Sequence, residues 1–211
     1  MTLNEQVATL LRQGRFAQAL PLATRACEEV RRRAGDRSPE LAGSQSRLAE
    51  IHRELGQLSQ AERCCFKALE IRGAAGKDNP EYAASLNDLA RLYEAMGNNQ
   101  QAEAFYRRAL EIRRATLGEG HPDYAQTLHD LGALYDLLGR RPEAENLILE
   151  ALEVRRQTVG EKHPDTPRAW GRWRGSRRVG PMSPRPSGWP GWPSTSTGQH
   201  WGTSTRRWAG T

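Results

Sequence analysis

The chain repeats itself. Glycines recur at positions 14, 56, 97 and 139, in steps of 42, 41 and 42. Ala19, Ala61, Ala102 and Ala144 keep that spacing, as do Ala26, Ala68, Ala109 and Ala151. Pro39, Pro80, Pro122 and Pro164 follow at 41, 42 and 42. Four columns in register constrain the fold more than any other feature. Each period must be one structural unit, and a unit of this size buries its apolar faces only by stacking on its neighbours.

Each unit reads as two helices, most clearly from Asn79 to Gly120. Leu86, Leu89 and Tyr93 recur at three- and four-residue steps, the spacing of one helical face, and Leu128, Leu131 and Tyr135 repeat it one unit on. Ser38-Pro39-Glu40 and Asn79-Pro80-Glu81 supply an N-cap, a proline at the first helical position and an acid in the first turn. Gly56, Gly97 and Gly139 are placed to end the first helix in the left-handed cap conformation. The second helix carries small residues at Ala102 and Ala109, with Phe105 or Tyr106 between them. Glu111 and Arg113 are expected on its solvent side. Glu103 with Arg107 and Arg108 reads as a solvated face of i,i+4 and i,i+5 neighbours.

The pattern resembles the tetratricopeptide repeat, in the 42-residue form found in kinesin light chains and many bacterial proteins. The residues that carry the resemblance are Leu89-Ala90, Tyr93, Gly97, Ala102, Tyr106 and Ala109. Their counterparts are Leu131-Gly132, Tyr135, Gly139, Ala144, Ile148 and Ala151. The linker from Leu117 to Asp123 is similar to that subfamily as well. The resemblance implies an all-α, right-handed α-solenoid of stacked antiparallel helix pairs, followed by a disordered C-terminal tail. The expected organisation is a repeat domain over 1–166: a partial unit 1–37, units 38–78, 79–120 and 121–162, and the start of another at 163. The tail is 167–211.

Charge and tryptophan are split between these parts. The whole chain carries +6, with 31 basic and 25 acidic side chains. The stretch from Pro167 to the end holds eight Arg, all six Trp and no Asp, Glu, Lys, Leu, Ile, Phe or Tyr, which leaves 1–166 with 23 basic against 25 acidic groups. The basic balance belongs to the tail and does not make the body a nucleic-acid binder.

The tail also falls on the repeat ruler. Trp170, Trp173 and Trp189 stand one full period after Leu128, Leu131 and Leu147, and Pro193 stands one period after Ala151. A tryptophan codon read one base earlier encodes Leu, Val or Met, and a proline codon after tryptophan then encodes alanine. The tail is therefore expected to be one more repeat translated out of frame; Pro181, opposite Gly139, does not fit. The competing reading is a genuine Arg/Trp extension that grips phosphates and stacks bases.

Other motifs yield to the repeat. His121-Pro122-Asp123 and His163-Pro164-Asp165 spell the tripeptide of J-domain co-chaperones, but Asn79-Pro80-Glu81 fills the same slot, so a helix-start role covers all three. Cys65 falls on the column of Tyr106 and Ile148, a core position, and reads as a buried, inert thiol. His52 shares the column of Tyr93 and Tyr135. No metal-ligand spacing, nucleophile motif or phosphate loop appears, so neither a cofactor nor catalysis is expected. Three cysteines without an even framework, no signal pattern and no long apolar run point to a reducing, cytoplasmic setting and no membrane span.

If the resemblance holds, the first helices line a concave groove. Its candidate residues are Ser46, Arg47, Glu50 and Arg53; then Asn87, Asp88 and Arg91, beside Ala84 and Glu94; then Gln126, His129 and Asp130, beside Asp136. Asn87 falls where kinesin light chains carry a groove asparagine, which implies a clamp on a peptide backbone through an amide that both donates and accepts. His129 replaces it one unit on. Mixed charge argues against an all-basic carboxylate clamp. The implied function is non-catalytic binding of a peptide or protein segment. The alternative is the sensor arm of a larger bacterial protein whose caspase-like peptidase or nucleotide-binding domain lay beyond the frame slip. Self-association is expected if Leu147, Ile148, Ala151 and Val154 form an uncapped apolar face on the last helix.

Overall fold

The computed structural model describes residues 2–159. The described residues all belong to one unit of the chain. The tail, its reading frame and the unit beginning at 163 lie outside them.

Every described element is a helix: α1 Leu3–Arg12, α2 Phe16–Ala34, α3 Pro39–Glu54, α4 Leu58–Ala74, α5 Pro80–Ala95, α6 Asn99–Leu117, α7 Pro122–Leu137 and α8 Arg141–Val159. The starts follow the local chemistry. The Ser38 and Asn79 side chains accept from the backbone N–H groups of Leu41 and Tyr82, and the proline that follows each cap occupies the first turn. His121 caps α7 in the same way, its Nδ1 accepting from Asp123 N at 3.1 Å, which accounts for its His-Pro-Asp step. The first helices end in a Schellman motif. At Gly97 (φ 76°) the glycine N–H donates to Glu94 O at 2.9 Å and Asn98 N–H to Tyr93 O at 2.8 Å.

Consecutive helices pack on one another throughout, most extensively α3 on α4, α5 on α6 and α7 on α8. The first helices also touch each other, α3 with α5 and α5 with α7, whereas the second helices make no comparable contact among themselves within the described residues. The first-helix layer is therefore the compressed, inner layer of a curved stack, and the second-helix layer is splayed outside it. Leu89, Ala90, Leu131, Ala102 and Ala109 are fully buried, and Tyr106 nearly so, as the column arithmetic predicts.

Three expectations need correction. Arg113 is not on the solvent side: it is 6% exposed, and its Nη1 donates to Asp123 O at 2.8 Å and Thr127 Oγ1 at 2.5 Å on α7. The next unit's first helix covers that side of α6. The Glu103–Arg107 pair (2.7 Å) is likewise not a simple solvated face. Arg107 Nη2 donates to Tyr135 OH at 2.9 Å, Tyr135 OH donates to Glu103 at 2.8 Å, and Arg140 donates to Glu103 at 3.0 Å while lying 3.9 Å from the Tyr135 ring centroid. The network ties α6 to α7 and to the residue before α8. Arg108 alone keeps the solvated role. Lastly, Leu147, Ala151 and Val154 are buried and Ile148 half-buried, so the four do not form an exposed face. Leu147 and Ile148 sit over Gly132 of α7, within their own helix pair.

Gly132 occupies the column of Ala90. A Cβ built there would stand 2.8 Å from Ile148 Cγ1 and 3.3 Å from Ala144 O. Gly132→Ala gains about 1 kcal/mol of helix propensity but must displace packed atoms at about 1–3 kcal/mol. Urea unfolding should show a net loss of about 1 kcal/mol. Ile148→Ala in the same chain should convert the added methyl into a gain relative to Ile148→Ala alone. An unchanged loss in the double variant would point to the Ala144 backbone as the obstacle.

Candidate functional site

All ten candidate residues lie on α3, α5 and α7, the inner layer. They form two groups. Ser46, Arg47, Glu50 and Arg53 of α3 and Asp88 and Arg91 of α5 surround a small cavity of about 140 Å³, floored by Ala49, Cys65 and Leu92. Asn87 of α5 joins Gln126, His129 and Asp130 of α7 around the Asp130 carboxylate. A larger open depression of about 280 Å³, lined by Gly14, Arg15, Phe16, Ala17, Gln18 and Leu55, lies at the α1–α2 turn and gathers no convergent polar side chains.

In the first group, Arg47, Glu50 and Arg91 are exposed and the others half-buried. Arg47 Nη1 donates to Asn4 Oδ1 at 2.9 Å, and Arg53 pairs with Glu54 at 2.7 Å. Behind Ser46, Arg72 Nη1 donates to the Ser46 and Ser85 hydroxyls at 3.1 and 2.7 Å. No Lys or Arg nitrogen among the described residues comes within ion-pair distance of Asp88. Burial pushes its carboxyl above the usual range, against a Ser46 hydrogen bond and the Arg72 and Arg91 charges. Burial also pushes the Cys65 thiol up to about 12, with Asp88 the leading charge that adds to the shift, in keeping with an inert core cysteine. Cys27 is buried too, and Cys64 half-buried.

In the second group, Asn87 is 7% exposed. Its Nδ2 donates to Asp130 Oδ2 at 3.1 Å, while its Oδ1 has no donor. The amide expected to donate and accept at once has its donor engaged within the protein, and the acceptor is left. Gln126 Nε2 donates to Asp130 Oδ1 at 2.7 Å, Arg155 Nη2 donates to Gln126 Oε1 at 2.7 Å, and His129 Nδ1 stands 3.7 Å from Asp130 Oδ1. Burial alone would raise the Asp130 carboxyl, but contacts with His129, Asn87 and Gln126 and the Arg91 charge outweigh it and hold the group below the usual range.

Asp88 and Asp130 share one column, a single repeat apart, yet shift in opposite directions. Asp88, with its folded pKa raised, weakens the fold increasingly as pH climbs from about 4 through that pKa. Asp130, with its folded pKa lowered, adds stability above about 4 that is lost as pH falls through the folded value. At neutral pH, Asp88→Asn should therefore raise the melting temperature and Asp130→Asn lower it. Both differences should shrink in melts under acid conditions, near pH 3. The same sign for both variants at neutral pH would refute this.

The sequence reading missed the inter-repeat arginines. Arg72, Arg113 and Arg155 occupy one column of the second helices, and Arg72 reaches Ser85 as Arg113 reaches Thr127, one unit on. The recurrence was legible, but the hydroxyl partners lie across the repeat boundary.

A curved stack of helix pairs with a mixed-charge inner layer defines an α-solenoid repeat scaffold. The tetratricopeptide repeat model matches residues 1–73, 40–115 and 93–157, so the chain belongs to the tetratricopeptide repeat family. Solved structures agree on the fold. The nearly identical TPR-like repeats of a Podosopora anserina protein assigned as a kinesin light chain superpose with a TM-score of 0.63 at 22% identity, covering 83% of this chain and 86% of that one. A point variant of that protein gives 0.64 at 22% identity over the same shares. BtubC (BKLC) from P. vanneervenii gives 0.59 at 23% identity, covering 82% of this chain and 65% of that one. No curated protein sequence matches this chain. Among the described residues no helix is long and apolar enough to cross a membrane, and no group of three or more His, Cys, Asp or Glu side chains is placed to hold a metal ion.

Proposed function

We propose that this chain is a non-catalytic interaction module that grips a peptide or extended protein segment along the inner face of α3, α5 and α7. Tetratricopeptide repeats generally mediate protein–protein interaction, and the fold is typically a scaffold. The observation that carries the finer reading is Asn87. It is a buried amide whose carbonyl oxygen has no donor, bound to the Asp130 cluster and next in sequence to Asp88 of the charged cavity. A buried acceptor without a partner costs about 1–3 kcal/mol, and a peptide N–H would recover it once the amide oxygen, closed to solvent in the unbound chain, turns toward the groove. The repeat domain is taken as 1–166, and the three free cysteines fit a reducing compartment such as the cytoplasm.

A displayed library of random peptides, selected on the full chain, tests the reading. Selected peptides should lose about tenfold or more in affinity on Asn87→Ala and on Arg91→Ala, as expected for one buried hydrogen bond and one charge-assisted contact of about 1.5–3 kcal/mol. Binding indifferent to both substitutions would place recognition elsewhere. A library that yields no binder would refute peptide recognition.

A further inference from the structure

The cavity between α3 and α5 discriminates by charge, and we infer that it accepts the cationic side chain of a lysine or arginine from the bound segment. The inference rests on the groove reading above and specifies one of its pockets. Its volume of about 140 Å³ would hold about four or five waters, so it admits one side chain and not a folded surface. Ala49, Leu92 and Cys65 are buried beneath it and offer an apolar bed for a methylene stem.

The charges are layered. Arg47 and Arg91 are exposed at the rim, whereas Asp88 is more deeply set. Asp88 lines the same cavity as the buried Cys65. The basic groups are largely engaged: Arg47 with Asn4, Arg53 with Glu54, and Arg72 with Ser46, Ser85 and, at 3.6 Å, Glu81. The acidic groups lack a salt bridge, although Ser46 hydrogen-bonds to Asp88. Neither Asp88 nor Glu50 has a cation within ion-pair distance among the described residues, and Arg91 is the one lining arginine without such an engagement. The Asn4 amide leaves the Arg47 charge in place, so the lining as a whole is balanced; what lacks a cation is its deeper end, where Asp88 has none within ion-pair distance while Arg47 and Arg91 keep their charges at the rim. An ammonium or guanidinium that passes the exposed Glu50 at the rim and stops at Asp88 supplies one, and the rim Arg91 is then free for a carbonyl or acidic group of the same segment. An acidic side chain in the same place would meet the Asp88 carboxylate head-on.

The test uses the full chain and matched peptides taken from the library selection. In each, one position is varied among lysine, arginine, norleucine and glutamate, and affinity is read by fluorescence anisotropy. Lysine and arginine peptides should bind at least tenfold tighter than the norleucine peptide, with glutamate weakest. Asp88→Asn should collapse the lysine-to-norleucine ratio to within about threefold. Thermal melts accompany the binding curves, because the same substitution is expected to raise stability, so a lost preference then cannot arise from unfolding. Peptides that bind with no basic preference, or a preference that survives Asp88→Asn together with Glu50→Gln, would overturn this inference and leave the groove reading intact. Failure of every peptide to bind would overturn both.

Discussion

Leu131→Ala is expected to cost about 2–5 kcal/mol of stability. Leu131 is fully buried in α7 on the column shared with Leu89. The loss combines the transfer energy of the deleted isopropyl group with the cavity left in a tight helix pair. Because each repeat contacts only its neighbours, the damage should stay local. Hydrogen exchange should show amides of α7 and α8 losing protection first, with α1 to α4 little changed. Leu89→Ala should behave differently. Leu89 packs with Ala49, Ala61, Cys65 and Leu92 across two units, so its loss should uncouple the unit of α3 and α4 from that of α5 and α6. A uniform fall in protection along the chain for Leu131→Ala would show that the stack unfolds as one cooperative body.

Arg113→Ala is expected to cost about 3 kcal/mol, and Arg113→Met less than about 1 kcal/mol. The buried guanidinium donates across the repeat boundary to Asp123 O and Thr127 Oγ1, but its Nε has no acceptor. Burial holds the group below its ordinary pKa, so part of what the hydrogen bonds contribute is offset by the cost of the buried charge. Methionine keeps the stem volume and removes that charge. Thr127 still donates to Asp123 O at 3.1 Å, so the acceptors are not all orphaned. Alanine removes the volume as well and leaves a cavity between α6 and α7. Urea unfolding of the two variants separates the contributions. Equal costs would show that the charge and its hydrogen bonds dominate; two neutral variants would show that the arginine stem packs against nothing.

The sequence by itself determined the unit, its two helices, their caps and the apolar columns. Ser38, Asn79 and His121 at the starts, Gly97 and its counterparts at the ends, and Leu89 and Leu131 inside follow from rules that act within a few residues of chain, and a period repeated several times averages out local exceptions. Membership of the inner layer was legible for the same reason, since a column fixes which side of a helix a residue occupies. Its electrostatics were not. Asp88 and Asp130 occupy one column, yet burial raises the first against the pull of Ser46 and Arg72 from the preceding unit, whereas at the second His129 and Gln126 of its own helix and Asn87 and Arg91 from across the boundary outweigh burial. Arg113 read as solvent-facing because nothing on its own helix says what covers it. The tertiary structure decided these points, because the packing of one unit on the next brings together groups that belong to different helices and often to different repeats. Burial, charge pairing and the free carbonyl of Asn87 all depend on that packing.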